Sequence, residues 1–211
     1  MTDKTDFKKA LGSYQAKRGE FRVVDVPDMQ YLMIDGRGDP NTSPAYAEAL
    51  GALYPVAYKL KFASKKDFGR DYVVPPLEGL WWAEDMDFFT ASRDKSRWDW
   101  TMMLMVPGWA DQGMFEAAVG QAGAKSPPAR LGDVRVRSLS EGRCVQTLHV
   151  GSFDDEAAVL ARMHHEFIPD HGPCMAGKHH EIYFSAFRRV APEKLRTILR
   201  QPVVTAAASQ Q

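Results

Sequence analysis

The chain has little of what would make it a secreted, nucleic-acid-binding or membrane protein. Its 211 residues include two cysteines, Cys144 and Cys174, far apart and without CxxC spacing. That excludes the disulfide framework of small secreted domains, and both read as free thiols. Lysine plus arginine number 27 and aspartate plus glutamate also 27, so no surplus charge draws a polyanion or an anionic bilayer from a distance. No basic stripe is present. Long apolar runs are missing as well: stretches such as Met102 to Val106 fall far short of the ~20 residues a membrane-spanning helix needs. The polar start Met1-Thr2-Asp3-Lys4 lacks the apolar region of a signal peptide. These absences predict a cytoplasmic protein with neither nucleic acid nor membrane as partner.

What the chain does have is 45% hydrophobic and 11% aromatic composition, enough for one sizeable core or for two half-domains sharing a sheet. Residues 1–20 read as an N-terminal arm, 21–200 as the domain and 201–211 as a flexible tail. Phe21–Val26 and Gln30–Ile34 are strand-like runs split by Pro27-Asp28, and Gly36 and Gly38 end the second. Ser43-Pro44 then starts a helix with Tyr46, Ala49, Leu50, Leu53, Tyr54 and Ala57 at helical spacing, kinked at Pro55. A charged loop over Lys65 to Asp71 leads to a strand from Leu77 to Trp82 and another from Arg97 to Val106. Asp111 caps a helix carrying Met114, Phe115, Ala118 and Val119.

The order then recurs. Val134–Leu139 alternates with period two, Glu141-Gly142 turns, and Arg143–Val150 is a strand ending at Gly151. Ser152 and Asp155 open a helix with Leu160, Met163 and Phe167 on one face. A strand over Lys178 to Phe187 follows, and Pro192 to Leu199 is expected to close the domain as a helix. The order strand, glycine, helix, then strand with Glu and aromatics occurs twice, giving pseudo-repeats at about 21–125 and 130–200. Strands alternating with helices also suit a parallel doubly wound sheet. The strand pairs joined by tight turns favour an α+β fold instead: a duplicated antiparallel sheet with its helices on one face.

Two segments carry the chemistry. Pro75-Pro76-Leu77-Glu78-Gly79-Leu80-Trp81-Trp82 and His179-His180-Glu181-Ile182-Tyr183-Phe184 each set one carboxylate among aromatic side chains, where it must be solvated or paired, since burying it alone is costly. Alternation puts Glu78, Leu80 and Trp82 on one strand face and Trp81 on the other. It likewise groups His179, Glu181 and Tyr183 against His180 and Ile182, and Trp98 with Trp100 and Met102. If helices cover one sheet face, the other could present both carboxylates, Tyr183 and the indoles to a concave cleft for flat hydrophobic or cationic molecules.

At these residues the chain resembles the GyrI-like small-molecule-binding family. The resemblance covers about residues 20 to 200 and rests on Pro75–Trp82, Tyr31–Tyr58, Trp98–Pro107 and Lys178–Arg189. It implies a duplicated antiparallel sheet with two helices and a ligand groove on the pseudo-twofold axis. It further implies a hydrophobic, aromatic or cationic small molecule as partner, and a stand-alone protein, since about 20 residues leave no room for a helix-turn-helix unit ahead of the first strand. The LEGLWW and HHEIY segments resemble the branch that hydrolyses cyclopropane-bearing toxic natural products. That likeness implies Glu181 as the water-activating group, Tyr183 as orienting group or proton donor, and Trp82 and Trp100 as stacking walls. Glu78, Trp81, Trp98 and His179 would be further ligand contacts.

Three other readings compete. The cluster His164, His165, His171, Cys174, His179 and His180 has metal-ligand side chains, but His164 shares a helix face with Leu160 and Met163, where packing explains it. His179 and His180 point to opposite faces, so neither metal nor cofactor is expected. A non-catalytic receptor for hydrophobic cations would use Glu181 and the aromatics equally well. A gyrase-interacting protein remains open without a specific feature to mark it. The repeat is compatible with a monomer or a homodimer.

Overall fold

The computed structural model describes residues 4–84, 94–186 and 189–205. The chain forms an antiparallel α+β fold divided into two compact units, one drawing on Met1–Gly12 and Asp28–Leu139, the other on Ser13–Pro27 and Ser140–Gln211. The first two strands, β1 (Arg22–Val26) and β2 (Met29–Arg37), follow one another across Pro27-Asp28 yet belong to different units.

In the first unit β2 is followed by helix α1 (Pro44–Phe68), strands β3 (Leu77–Trp82) and β4 (Asp99–Val106), helix α2 (Gln112–Gly123) and strand β5 (Arg135–Leu139). The strands lie in the order β5-β2-β4-β3, every pair antiparallel. β4, Asp-Trp-Thr-Met-Met-Leu-Met-Val, is buried along almost its whole length because both its edges are paired and both its faces are apolar. Helix α1 starts at the Pro44 expected from the sequence but runs on through Pro55 and takes up the predicted Lys65–Asp71 loop as far as Phe68. Its last turn is basic, which suits the negative end of the helix dipole. Lys61 Nζ and Lys65 Nζ reach Asp71 at 2.9 and 3.0 Å, and Gly69, at φ 66°, ends the helix in the left-handed conformation. Asp111 caps α2 as expected, its Oδ1 accepting the Met114 N–H at 2.8 Å.

Register decides which residues share a face. Gly36 stands opposite Trp100, and Trp100 opposite Trp81. Both indoles meet Tyr46 of α1, at ring separations of 5.4 Å for Trp100 and 6.4 Å for Trp81. A Cβ on Gly36 would stand 2.0 Å from the Trp100 ring, so glycine is what lets that indole lie flat on the strand. Gly36→Ala is therefore expected to destabilise the protein by about 1–3 kcal/mol through overpacking, with Trp100 displaced. Urea unfolding and near-ultraviolet circular dichroism would register both effects.

In the second unit β1 pairs with β6 (Gly142–Val150), which also pairs with β9 (Arg196–Thr205); β9 in turn pairs with β7 (Pro173–Met175) and β8 (His179–Tyr183). Helix α3 (Glu156–Arg162) continues into a wider π turn, Met163–Phe167. That segment covers Val145, Leu199 and Val203 of the sheet with Met163 and Ile168, and Phe21 and Phe167 pack against the cluster.

The closing helix expected over Pro192 to Leu199 is not formed. Only Pro192–Lys194 makes a helical turn, and Arg196–Thr205 is strand β9. Thr197, Ile198, Val203 and Val204 are β-branched, and pairing on both edges of β9 outweighs any helical spacing. The strand predicted over Lys178 to Phe187 is β8, His179–Tyr183, and Phe187 lies outside the described residues. β9 also takes in residues 201–205, assigned to a flexible tail from the sequence; 206–211 lie outside the described residues.

Candidate functional site

Glu181 sits in the middle of β8 opposite Leu199 of β9. Leu199 belongs to the core under α3 and its π turn, so the carboxylate is on the helix-covered face of the second unit. The sequence expectation that a helix-free face would present both carboxylates therefore does not hold for Glu181. Glu181 is only 8% exposed, which demands partners. The Tyr183 hydroxyl, two residues along the same face, donates to Glu181 Oε2 at 2.7 Å. On the other side His179 Nε2 lies 3.3 Å from Oε1. Phe153, in the turn leading into α3, stands edge-on to the Tyr183 ring with 5.8 Å between centroids. The His179, Glu181 and Tyr183 grouping expected from alternation is thus present, with Phe153 as a neighbour the sequence did not single out.

The reverse face of β8 is occupied differently. His180 Nδ1 is 3.0 Å from both oxygens of Glu141, and Arg200 Nη1 donates to Glu141 Oε2 at 3.0 Å. Arg200 also donates to Gln146 Oε1 at 3.1 Å and to the Ser13 carbonyl at 2.6 Å. Burial pushes the Glu141 carboxyl upward, but the charges and hydrogen bonds of His180 and Arg200 outweigh it and hold the group down at about 2. Sequence reading missed this network, whose members come from the chain's arm, a hairpin turn and three strands. The outward alternation of His180 from Glu181 was its one visible trace.

In the first unit Glu78 lies opposite Met103, on the face turned away from α1, and is fully buried, with the Tyr31 hydroxyl 3.4 Å from its Oε2. The two carboxylates therefore occupy different kinds of sheet face in their respective units. Trp81 and Trp100 are on the α1 side, and Trp100 has no exposed surface and donates its indole N–H to the Gly38 carbonyl at 3.2 Å. Trp98 precedes β4 and sets its ring edge-on to Trp81 at 5.8 Å. Trp82, on the Glu78 face, is only half-buried. The open indole wall expected from the sequence is closed at Trp81 and Trp100, because α1 packs on them.

The His164 ring lies 6.2 Å from that of His179 and 6.4 Å from that of His165 between centroids. His179 and His180 point to opposite faces as expected, and among the described residues no group of three His, Cys, Asp or Glu is placed to hold a metal ion. No described helix is long and apolar enough to cross a membrane. Cys144 is buried and its thiol is pushed up to about 12, by burial first and then by the Glu141 charge, which leaves it unreactive.

The model of the GyrI-like small molecule binding domain matches residues 19–204. The chain belongs to the GyrI-like family. Among solved structures, this GyrI-like chain is similar to an uncharacterized conserved protein from Listeria innocua, at 38% identity and a TM-score of 0.87, covering 95% of this chain and all of that one. It is similar also to two proteins from the same organism described as hydrolases. One has 36% identity, a TM-score of 0.83 and coverage of 95% of this chain. The other has 37% identity, a TM-score of 0.86 and coverage of 96%; both are covered over their full length. No curated protein matches the chain. The GyrI-like assignment makes the domain a small-molecule binder.

Proposed function

We propose that this GyrI-like chain is a hydrolase that adds water to strained, flat, hydrophobic compounds, of which spirocyclopropyl dienones are the type. The observation that carries the reading is Glu181, nearly buried between the Tyr183 hydroxyl at 2.7 Å and His179 at 3.3 Å. The identity of 36% and 37% to proteins described as hydrolases supports it.

The chemistry asks little of a protein. Water oxygen bonds to a cyclopropane carbon, the opposing C–C bond breaks, and its electron pair moves through the dienone to the carbonyl oxygen, leaving a phenolate. Glu181 accepts the proton lost by the water, and that proton ends on the phenolate oxygen, so the sum is addition of one water. Tyr183, already hydrogen-bonded to the carboxylate, is the group placed to carry it by turning its hydroxyl toward the new oxyanion. Phe153 and the Tyr183 ring offer an apolar edge for a flat substrate beside Glu181. Holding water and carbon at near-attack distance supplies the rest.

A receptor for hydrophobic cations would want a carboxylate with no protein donor of its own. Here each Glu181 oxygen faces a protein group, which favours chemistry on water over capture of a cation. Mass spectrometry after incubation with a spirocyclopropyl dienone tests the reading. The expected product is heavier by one water and carries the label when the reaction is run in oxygen-18 water. Recovery of unchanged compound together with tryptophan quenching would instead establish a receptor.

A further inference from the structure

His164 is a buried titratable group that the mechanism above does not use. It lies in the π turn Met163–Phe167, the widened part of the helical segment that covers the Glu181 face of the sheet. Such turns re-aim side chains out of the regular helical series and recur at functional sites. The His164 ring stands edge to face with that of His179, at 6.2 Å between centroids and an interplanar angle of 79°. His179 in turn is the residue 3.3 Å from Glu181.

His164 Nε2 is buried and has no hydrogen-bond partner among the described residues. Met163 on one side and Leu160 and Phe167 along the same helical face are apolar, so a phenylalanine or leucine would fill the position without leaving a polar atom unpaired. A buried polar atom that packing does not require, set against a residue of the candidate site, calls for a role other than packing. Burial, followed by the charges of His179 and His165, pushes the His164 imidazole down to about 4, so it is neutral near pH 7. The groups that face it are His165 from its own turn and His179 from β8, with Glu181 next beyond.

We propose that His164 is a positioning residue of the Glu181 site: its neutral imidazole seats the His179 ring and keeps a polar neighbour beside it, fixing how His179 holds its proton toward Glu181. The effect on turnover rests on the hydrolase reading above; the effect on His179 does not. Replacing the imidazole by a phenyl ring keeps the packing but removes the polar neighbour set edge to face against the His179 ring.

The test compares the wild-type chain with His164→Phe and His164→Gln. Nitrogen-15 NMR of the imidazoles reports which ring nitrogen of His179 carries the proton, urea unfolding follows stability, and initial rates on a spirocyclopropyl dienone follow turnover. In H164F the His179 ring-nitrogen resonances should move as the tautomer balance changes, with stability unchanged or raised. In H164Q, which restores a polar group, they should lie between the two. Turnover in H164F should fall by about tenfold in kcat with KM little changed. His179 resonances that stay put in both variants, or a loss of stability in both with no change at His179, overturn the proposal. If the resonances move while the wild type leaves the dienone intact, the hydrolase reading fails and the positioning role stands.

Discussion

Replacing Glu141 by alanine is expected to remove about 3–5 kcal/mol of stability, the cost of stranding a buried charge. The stranded group is Arg200, which has no exposed surface and directs its guanidinium at Glu141, Gln146 and the Ser13 carbonyl. Without the carboxylate its charge stays buried beside the Gln146 and Ser13 acceptors, and His180 loses a partner at 3.0 Å. The opposite experiment separates pairing from packing: Glu141→Leu combined with Arg200→Met should recover much of the loss, because well-packed apolar groups often replace a buried ion pair without penalty. An E141A protein within 1 kcal/mol of wild type in urea would contradict the network's role, taking about 3 kcal/mol as the least such a break should cost. The same carboxylate sets an acid limit. Its native pKa of about 2 lies below the unfolded value of 4.5, so the native state binds fewer protons there. The stabilisation is present above pH 4.5 and drains away as pH falls through the interval down to about 2. Wild type should lose stability over that range more steeply than E141Q.

Glu181→Gln is expected to lower kcat for dienone opening by about 10²–10⁴-fold, the usual contribution of a positioned general base. Glutamine keeps the shape of the side chain and can still accept the Tyr183 hydroxyl, so folding and substrate binding should survive and KM should move far less than kcat. Tyr183→Phe is expected to have a smaller effect, because it removes the 2.7 Å hydrogen bond and the route to the phenolate while leaving the base in place. Single-turnover rates with both variants distinguish these roles. An E181Q protein with wild-type kcat would remove Glu181 from the mechanism, and a Y183F loss as deep as that of E181Q would make the tyrosine the primary group.

Much of this was legible in the sequence because strand alternation is a local rule. His179, Glu181 and Tyr183 fall two apart, and the side chains meet as the spacing requires. The antiparallel pairing followed from turn residues between β-branched runs, and the Asp111 cap from a single side chain. What escaped were properties set by partners distant in sequence. Which face of β8 the helix covers depends on Leu199 and Val145 meeting Met163, and no pattern within HHEIY encodes that. The indoles of Trp81 and Trp100 looked like an open wall because nothing nearby in sequence reveals that Tyr46 lies over them. The Pro192–Leu199 segment was misjudged for the same reason: its strand character comes from β6 and β8 on either side.

The membership of β1 and β5 bears on how the chain is made. β1 pairs Arg22 with Gln146, and β2 pairs Met29 with Leu139 at its far edge. On a ribosome the early segment emerges with Val23, Val24 and Val26 ready to pair, but its partner strand is synthesised more than a hundred residues later. The second unit cannot finish its sheet before Arg196–Thr205 has been made, and no single cut yields two self-sufficient halves. Closing such distant pairings early is entropically unfavourable and leaves strand edges exposed in the interim. Completion of the molecule is thus tied to release of its C-terminal third, and until then the early strand waits without its partner.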